Sequence, residues 1–281
     1  MLLIYNMISN KYIIIKKLSQ GTFGTIYEAE SIKTGEHVAI KFEPKDSDLK
    51  TLKNEAKIYQ HLGKQNGFPQ LKWFGADENH TYLAIDLLGN SLSEIVKLYN
   101  RLCLKTTLVL GMQMITRLKV LHSKSLLHRD VKPDNFLFGL NDQTNKIFLL
   151  DFGFTKRYDY NGKHIPEKKI NSLIGSPNFV SLNIHNGIEP GRRDDIESCI
   201  YVIIYMLYGT LDWIGKSMEE MIVFKTLLTN NSSLPVFFKN ILLYVRNMQF
   251  SETPNYEYLL HLLVDIFNQN GYKMDGQFEW T

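Results

Sequence analysis

The sequence predicts an α+β chain of two unequal lobes, a smaller β-rich one followed by a larger α-helical one. Three observations carry this. Short β-like runs with a single helix fill residues 12–88. From residue 89 the pattern turns mostly helical, with a long amphipathic stretch at 104–123. Residues 196–208 are apolar nearly all round, the mark of a helix buried on every side.

The elements follow in order. Residues 12–18 are β-branched and aromatic and read as a strand. Two more strands are expected at 25–30 and 37–42, with Thr34 and Gly35 turning between them. Residues 48–62 read as a helix, because Leu49, Leu52, Ala56, Tyr59 and Leu62 recur at helical spacing and Gly63 supplies a stop. Strands at 73–75 and 82–86 complete the first lobe, which joins the second near residues 87–89. A further short strand is expected at 146–150.

The 281 residues suffice for one large domain or two lobes. Hydrophobic residues at 44% and charged residues at 22% exclude wholesale disorder. A net charge of +3 gives no reason to expect a nucleic-acid or membrane partner. Two cysteines, Cys103 and Cys199, cannot build a disulfide framework or a four-thiolate zinc site, which suits a reducing compartment. The apolar N-terminus has no basic region before it and no small-residue cleavage site, so it makes a poor signal peptide, and Met7 is an alternative start. An intracellular chain, cytoplasmic or nuclear, is expected.

Three constellations carry chemistry. Leu18, Ser19, Gln20, Gly21, Thr22, Phe23, Gly24, Thr25 and Ile26 lie between two expected strands rather than opening a helix. That context disfavours a dinucleotide fold and suits a glycine-rich hairpin over nucleotide phosphates, where missing side chains let backbone N–H groups approach oxygen. The competing reading is an ordinary hairpin turn. Lys41 falls on an apolar strand next to Ala39, and Glu55 falls within the apolar stripe of the 48–62 helix. Each is costly alone, and an ion pair between them, with Lys41 also reaching phosphates, resolves both; the alternative is a snorkelling lysine and a rim glutamate. The third constellation decides between these readings. His-Arg-Asp-Val-Lys-Pro-Asp-Asn at 128–135 precedes Asp-Phe-Gly at 151–153 by a short strand. The spacing is that of a phosphoryl-transfer centre. Asp130 can accept or orient the proton of an attacking hydroxyl, and Lys132 can offset charge on the moving phosphoryl group. Asn135 and Asp151 supply hard oxygens suited to Mg²⁺ bridging phosphates.

On these motifs the sequence resembles the eukaryotic-type protein kinases, and specifically the casein kinase 1 family. Further markers are Leu-Leu-Gly-Asn-Ser-Leu at 87–92, His-Ile-Pro at 164–166, Ser-Leu-Asn at 181–183 and Arg-Arg-Asp-Asp-Ile-Glu-Ser at 192–198. The resemblance implies a bilobal protein kinase fold over residues 12–281, with lobes of about 12–88 and 89–281 after an N-terminal extension at 1–11. It implies a monomeric serine/threonine protein kinase that uses ATP and Mg²⁺ on protein substrates. The implied ATP pocket is bounded by Leu18, Ile26 and Ala39 above and Leu137 below, with Ile85 as gatekeeper. Asp86 to Leu88 would form the hinge, where backbone groups of Leu88 meet the adenine edge. Ser176 would place a hydroxyl near Asp130 and Lys132, and Asp195 would cap the catalytic loop.

Departures from the family pattern are also legible. Ser19 replaces the first glycine of the loop, with at most a modest expected effect on ATP affinity. Asn178 stands where the family commonly places an arginine that receives a substrate's existing phosphate. The stretch from Lys216 to Lys225, expected to be basic, holds two acids and a lysine only at each end. Asn offers no charge to a phosphate, so weakened preference for primed or acidic substrates is expected, although Arg157, Lys168, Lys169, Arg192 and Lys216 remain available to supply positive field. Tyr158, Tyr160 and Ser172 are candidate phosphoacceptors. The alternatives, a kinase-shaped binding module or a small-molecule phosphotransferase, would be told apart by incubation with labelled ATP and casein.

Overall fold

The computed structural model describes residues 7–21, 24–47 and 50–280. The chain divides into two compact units, Met1–Gly89 with Leu150–Gly153, and Asn90–Leu149 with Phe154–Thr281.

The first unit is built on a six-stranded antiparallel sheet. Its strands are β1 (Met7–Ile8), β2 (Tyr12–Gly21), β3 (Gly24–Ser31), β4 (His37–Pro44), β5 (Leu71–Ala76) and β6 (His80–Asp86), in the order β1-β2-β3-β4-β6-β5. Period-two alternation sorts the side chains of β4. Val38 and Ile40 face the core with Ile8, Tyr12, Ala29, Tyr82 and Ala84, while Ala39 and Lys41 share the other face. In register, Ile26 stands opposite Lys41 and Ala39 opposite Ile85. Residues 7–8, within the segment expected as an extension, form the edge strand β1.

Helix α1 runs Leu52–Leu62, so it begins later than the expected 48; Asp48 and Leu49 lie outside the described residues. Its first turn is satisfied from outside. The buried carboxylate of Glu43, on β4, accepts Thr51 N at 2.7 Å and Leu52 N at 3.0 Å. A carboxylate there also complements the positive end of the helix. Gly63 ends the helix at φ +59°, a conformation a Cβ would disfavour.

The second unit holds the remaining helices: α2 (Leu92–Tyr99), α3 (Leu104–Ser123), α4 (Leu182–His185), α5 (Arg192–Tyr208), α6 (Met218–Leu227), α7 (Val236–Asn247) and α8 (Tyr256–Gln269). Short strands β7 (Leu126–Leu127), β8 (Phe136–Phe138), β9 (Ile147–Leu149) and β10 (Lys156–Arg157) pair as β7 with β10 and β8 with β9. Helix α3 packs on α5 and α8, and α5 also packs on α7. The expected buried helix is there, but it starts at Arg192 rather than 196. Its first turn carries four charged residues, of which Arg192 is expected to supply surface field and Asp195 to cap the catalytic loop. Arg192, Arg193, Asp194 and Asp195 are nevertheless all buried and bonded to neighbouring segments. No helix among the described residues is long and apolar enough to cross a membrane.

Candidate active site

In the first unit, the Lys41 ammonium lies 3.0 Å from Glu55 Oε2 and 3.0 Å from Asp151 Oδ1. Burial works against the charge on Lys41, but the carboxylates of Glu55 and Asp151 outweigh it and hold its pKa above the ordinary lysine range. Burial pushes the Glu55 carboxyl up, and the Lys41 ammonium opposes that. The second Glu55 oxygen accepts Phe152 N at 3.3 Å. Phe152 is fully buried, edge-on to Tyr59 at 4.9 Å and stacked on Phe68 at 6.2 Å. One helix residue therefore fixes both the strand lysine and the Asp-Phe-Gly segment.

The expected nucleotide-binding residues of this unit fall on adjoining strands. Leu18, Ser19, Gln20 and Gly21 end β2, and Gly24, Thr25 and Ile26 begin β3. Thr22 and Phe23 lie outside the described residues. A Cβ on Gly24 would stand 1.9 Å from the Phe42 carbonyl oxygen, at φ +129°, so the hairpin needs glycine there. Ile85 and Asp86 end β6, and Leu88 follows. The Asp86 carboxylate is engaged by Gln70 N at 2.7 Å and Lys72 Nζ at 2.9 Å, which leaves the backbone of this stretch as its means of meeting a ligand.

In the second unit, Asp130 is 3% exposed and its carboxylate is gripped on both oxygens. Lys132 Nζ donates to Oδ2 at 2.6 Å and Ser176 Oγ donates to Oδ1 at 2.8 Å. Asn135 Nδ2 donates to the Asp130 carbonyl at 2.8 Å, which turns its amide oxygen the other way. The loop carrying these groups is pinned from α5, where Asp195 accepts His128 N at 2.7 Å and Arg129 N at 2.8 Å. His122 Nε2, 2.9 Å from the same carboxylate, completes its shell. Leu137 lies on β8, directly after the loop. Asn135 here, and Asp151 in the first unit, each carry a side-chain oxygen of the kind that suits Mg²⁺.

Two charged residues central to this unit were not singled out from sequence. Glu189 is 2% exposed and gathers cations from three segments: Lys156 at 2.7 Å, Arg129 at 3.8 Å and Lys168 at 3.8 Å. An internal carboxylate thus occupies the charge of Arg129, the residue beside Asp130. Lys225, on α6, is fully buried. Its ammonium donates to the carbonyls of Pro177 at 2.9 Å and Val180 at 2.7 Å and lies 2.9 Å from His185 Nε2. It therefore clamps the segment that carries Ser176. Burial pulls its pKa down to about 7. The one local hint is that Lys225 lies one helical turn after Met221, which the structure buries.

Two expectations are corrected. Arg192 does not serve a surface field, since it is buried and bonds Tyr158 Oη and the Ser251 carbonyl. Tyr158 is a poor phosphoacceptor, because it is buried and its hydroxyl donates to the His122 carbonyl at 2.7 Å. Tyr160 is exposed.

His185, beside Lys225, has its pKa drawn from the ordinary 6.5 to about 4, first by burial and then by the Lys225 charge. Between those values the unfolded chain binds more protons than the folded one, so this residue's contribution is lost as pH falls through 6.5 toward 4. Wild type is expected to lose more Tm than His185→Gln between neutral pH and about pH 5. Equal losses in thermal melts would contradict the assignment.

A model of the protein kinase domain family matches residues 12–269. The chain belongs to the protein kinase family. Its fold is the α+β bilobal kinase fold, and the family supports a phosphotransferase that uses ATP and acts on protein substrates. Kinase domains generally use Mg²⁺ with the nucleotide.

Proposed function

We propose that the chain is a serine/threonine protein kinase of the casein kinase 1 type, transferring the γ-phosphate of ATP to protein hydroxyls. The observation that carries this reading is the Asp130 carboxylate, held between the Lys132 ammonium and the Ser176 hydroxyl. Such a carboxylate can accept the proton of an incoming serine or threonine, and the adjacent ammonium can offset charge on the transferred group. Lys41, fixed by Glu55, is the α/β-phosphate contact in this reading. The hairpin from Leu18 to Ile26 covers the nucleotide, Ala39, Ile85 and Leu137 bound the base, and Asp86 and Leu88 meet its edge through backbone groups. Asn135 and Asp151 would hold Mg²⁺, which supplies neutralisation of phosphate charge when bound. We read residues 12–281 as one kinase domain that acts as a monomer, inside the cell, without nucleic-acid or membrane partners. Phosphoamino-acid analysis of labelled casein tests the specificity. Phosphoserine and phosphothreonine are expected; phosphotyrosine as the main product would overturn it.

Weakened selection for primed substrates belongs to the same reading. The Asn178 side chain is turned inward, with Oδ1 buried, and its carbonyl accepts Trp213 Nε1 at 2.8 Å. Lys225 spends its charge on backbone carbonyls. Neither presents charge to a substrate phosphate, where an arginine would form a strong bidentate pair. A peptide pair differing only in a phosphoserine three residues upstream of the target should differ by less than about tenfold in kcat/KM. A much larger gain for the phosphorylated peptide would refute the weakened pocket.

A further inference from the structure

A pocket of about 410 Å³ lies wholly within the second unit, between α3 and the segment at 273–278. That volume falls in the range of small-molecule sites, roughly 300–1,000 Å³. Its walls combine apolar side chains with one unusual cation.

The apolar side is formed by Val109, Met112, Met274 and Phe278. Met274 stands 65% exposed, a large apolar group with nothing over it among the described residues. The cation is Arg117, which lines the pocket yet is only 6% exposed. Its Nε donates to the Ile147 carbonyl at 3.1 Å, and its two amino nitrogens have no hydrogen-bond partner among the described residues. Among the described residues no carboxylate offsets its burial, and burial accordingly lowers its pKa. A guanidinium cannot shed its proton at working pH, so what compensates it is whatever enters the pocket, water or, more strongly, an anion.

Several other polar groups of the pocket are already served. Gln113 donates to the Asn145 carbonyl and accepts Ile147 N. Thr116 donates to the Met112 carbonyl. Asp275 takes the Lys105 ammonium on both oxygens, at 2.7 and 2.8 Å. Lys273, at the rim, is exposed and has no ion-pair partner among the described residues. The fork of Arg117, on a side chain only 6% exposed, is therefore without an acceptor among the described residues and open to the pocket it lines.

We propose that this pocket binds an amphipathic organic monocarboxylate, with its carboxylate on the Arg117 guanidinium and its apolar body against Met112, Met274 and Phe278. A carboxylate matches the planar fork of a guanidinium with two parallel bonds. A monoanion suits one buried cation. A dianionic phosphate would set its second charge against thioether and phenyl surface, at a desolvation cost that the hydrated Lys273 is too exposed to offset. The two methionines give walls that adapt to the body of the ligand.

The site does not depend on the chemistry proposed above, and its test reads binding alone. The full chain, with its methionine methyls labelled with ¹³C, is titrated with naphthoate, with naphthamide and with naphthyl phosphate, each in the presence of saturating MgATP. Naphthoate is expected to move the Met112 and Met274 resonances saturably, and naphthamide to bind at least about tenfold more weakly. Arg117→Lys, where melting shows it folded, should reduce naphthoate to the level of the amide. The acid–amide contrast on the wild-type chain needs no variant, so a misfolded variant leaves the test standing. Equal binding of acid and amide, shifts confined to other methionines, tighter binding of naphthyl phosphate, or an unaffected Arg117→Lys would each overturn the proposal.

Discussion

Asp130→Asn is expected to lower kcat by about 10²–10⁴-fold, the usual contribution of a positioned general base, while leaving the fold and nucleotide binding nearly unchanged. The substitution conserves shape, and the amide oxygen can still accept one bond. It cannot take up a proton, and its amino group faces either the Lys132 ammonium or the Ser176 hydroxyl, both now donating toward Asp130. Asn135 retains its bond to the main-chain carbonyl of residue 130, so the loop keeps its shape. Initial rates with saturating ATP and casein, set beside thermal melts of both proteins, check this. A variant within a few-fold of wild type would remove Asp130 from the chemistry.

Lys41→Met is the second large effect. It takes the cation away from both Glu55 and Asp151. Stranding a buried carboxylate costs about 3–5 kcal/mol if it stays charged. Glu55 has an escape: burial already pushes its carboxyl up, and without Lys41 only the long bond from Phe152 N opposes that push. In the variant Glu55 therefore takes up a proton on folding. A carboxyl whose folded pKa lies above its unfolded value contributes stability that is present at low pH and lost as pH rises through the folded pKa. The stability gap between wild type and Lys41→Met should accordingly widen with rising pH, and kcat/KM for ATP should fall by orders of magnitude at every pH. A gap independent of pH in denaturant titrations would contradict the charge assignment to Glu55.

The residues that could be read in the sequence share a property: their chemistry is anomalous where they stand. Lys41 on an apolar strand and Glu55 in an apolar helix stripe announce each other, and they meet at 3.0 Å. The ordered run from His128 to Asn135 followed by Asp151 is too specific to be a turn. What was not legible is burial decided by tertiary packing. Arg192 looks like solvent-facing charge, yet it is buried because it and Arg193 find partners far along the chain, on the Ser251 and Met248 carbonyls, whereas Asp195 caps the catalytic loop as the resemblance implies. Lys225 looks like one end of a depleted basic patch but lies inside, because two backbone carbonyls and His185 converge on it. Glu189 draws its cations from three separated segments, a convergence that no local pattern encodes. The start of α1 is set by Glu43, on a different strand, rather than by a local cap.

The most direct measurement compares two labelled nucleotides on one substrate. Casein is incubated with the purified chain and Mg²⁺, using ATP labelled at either the α or the γ phosphorus, with and without excess chelator. Label is expected on casein only from the γ position, and only while the metal is free. Absence of transfer from γ-labelled ATP, transfer from the α position, or transfer undiminished by the chelator would contradict the account.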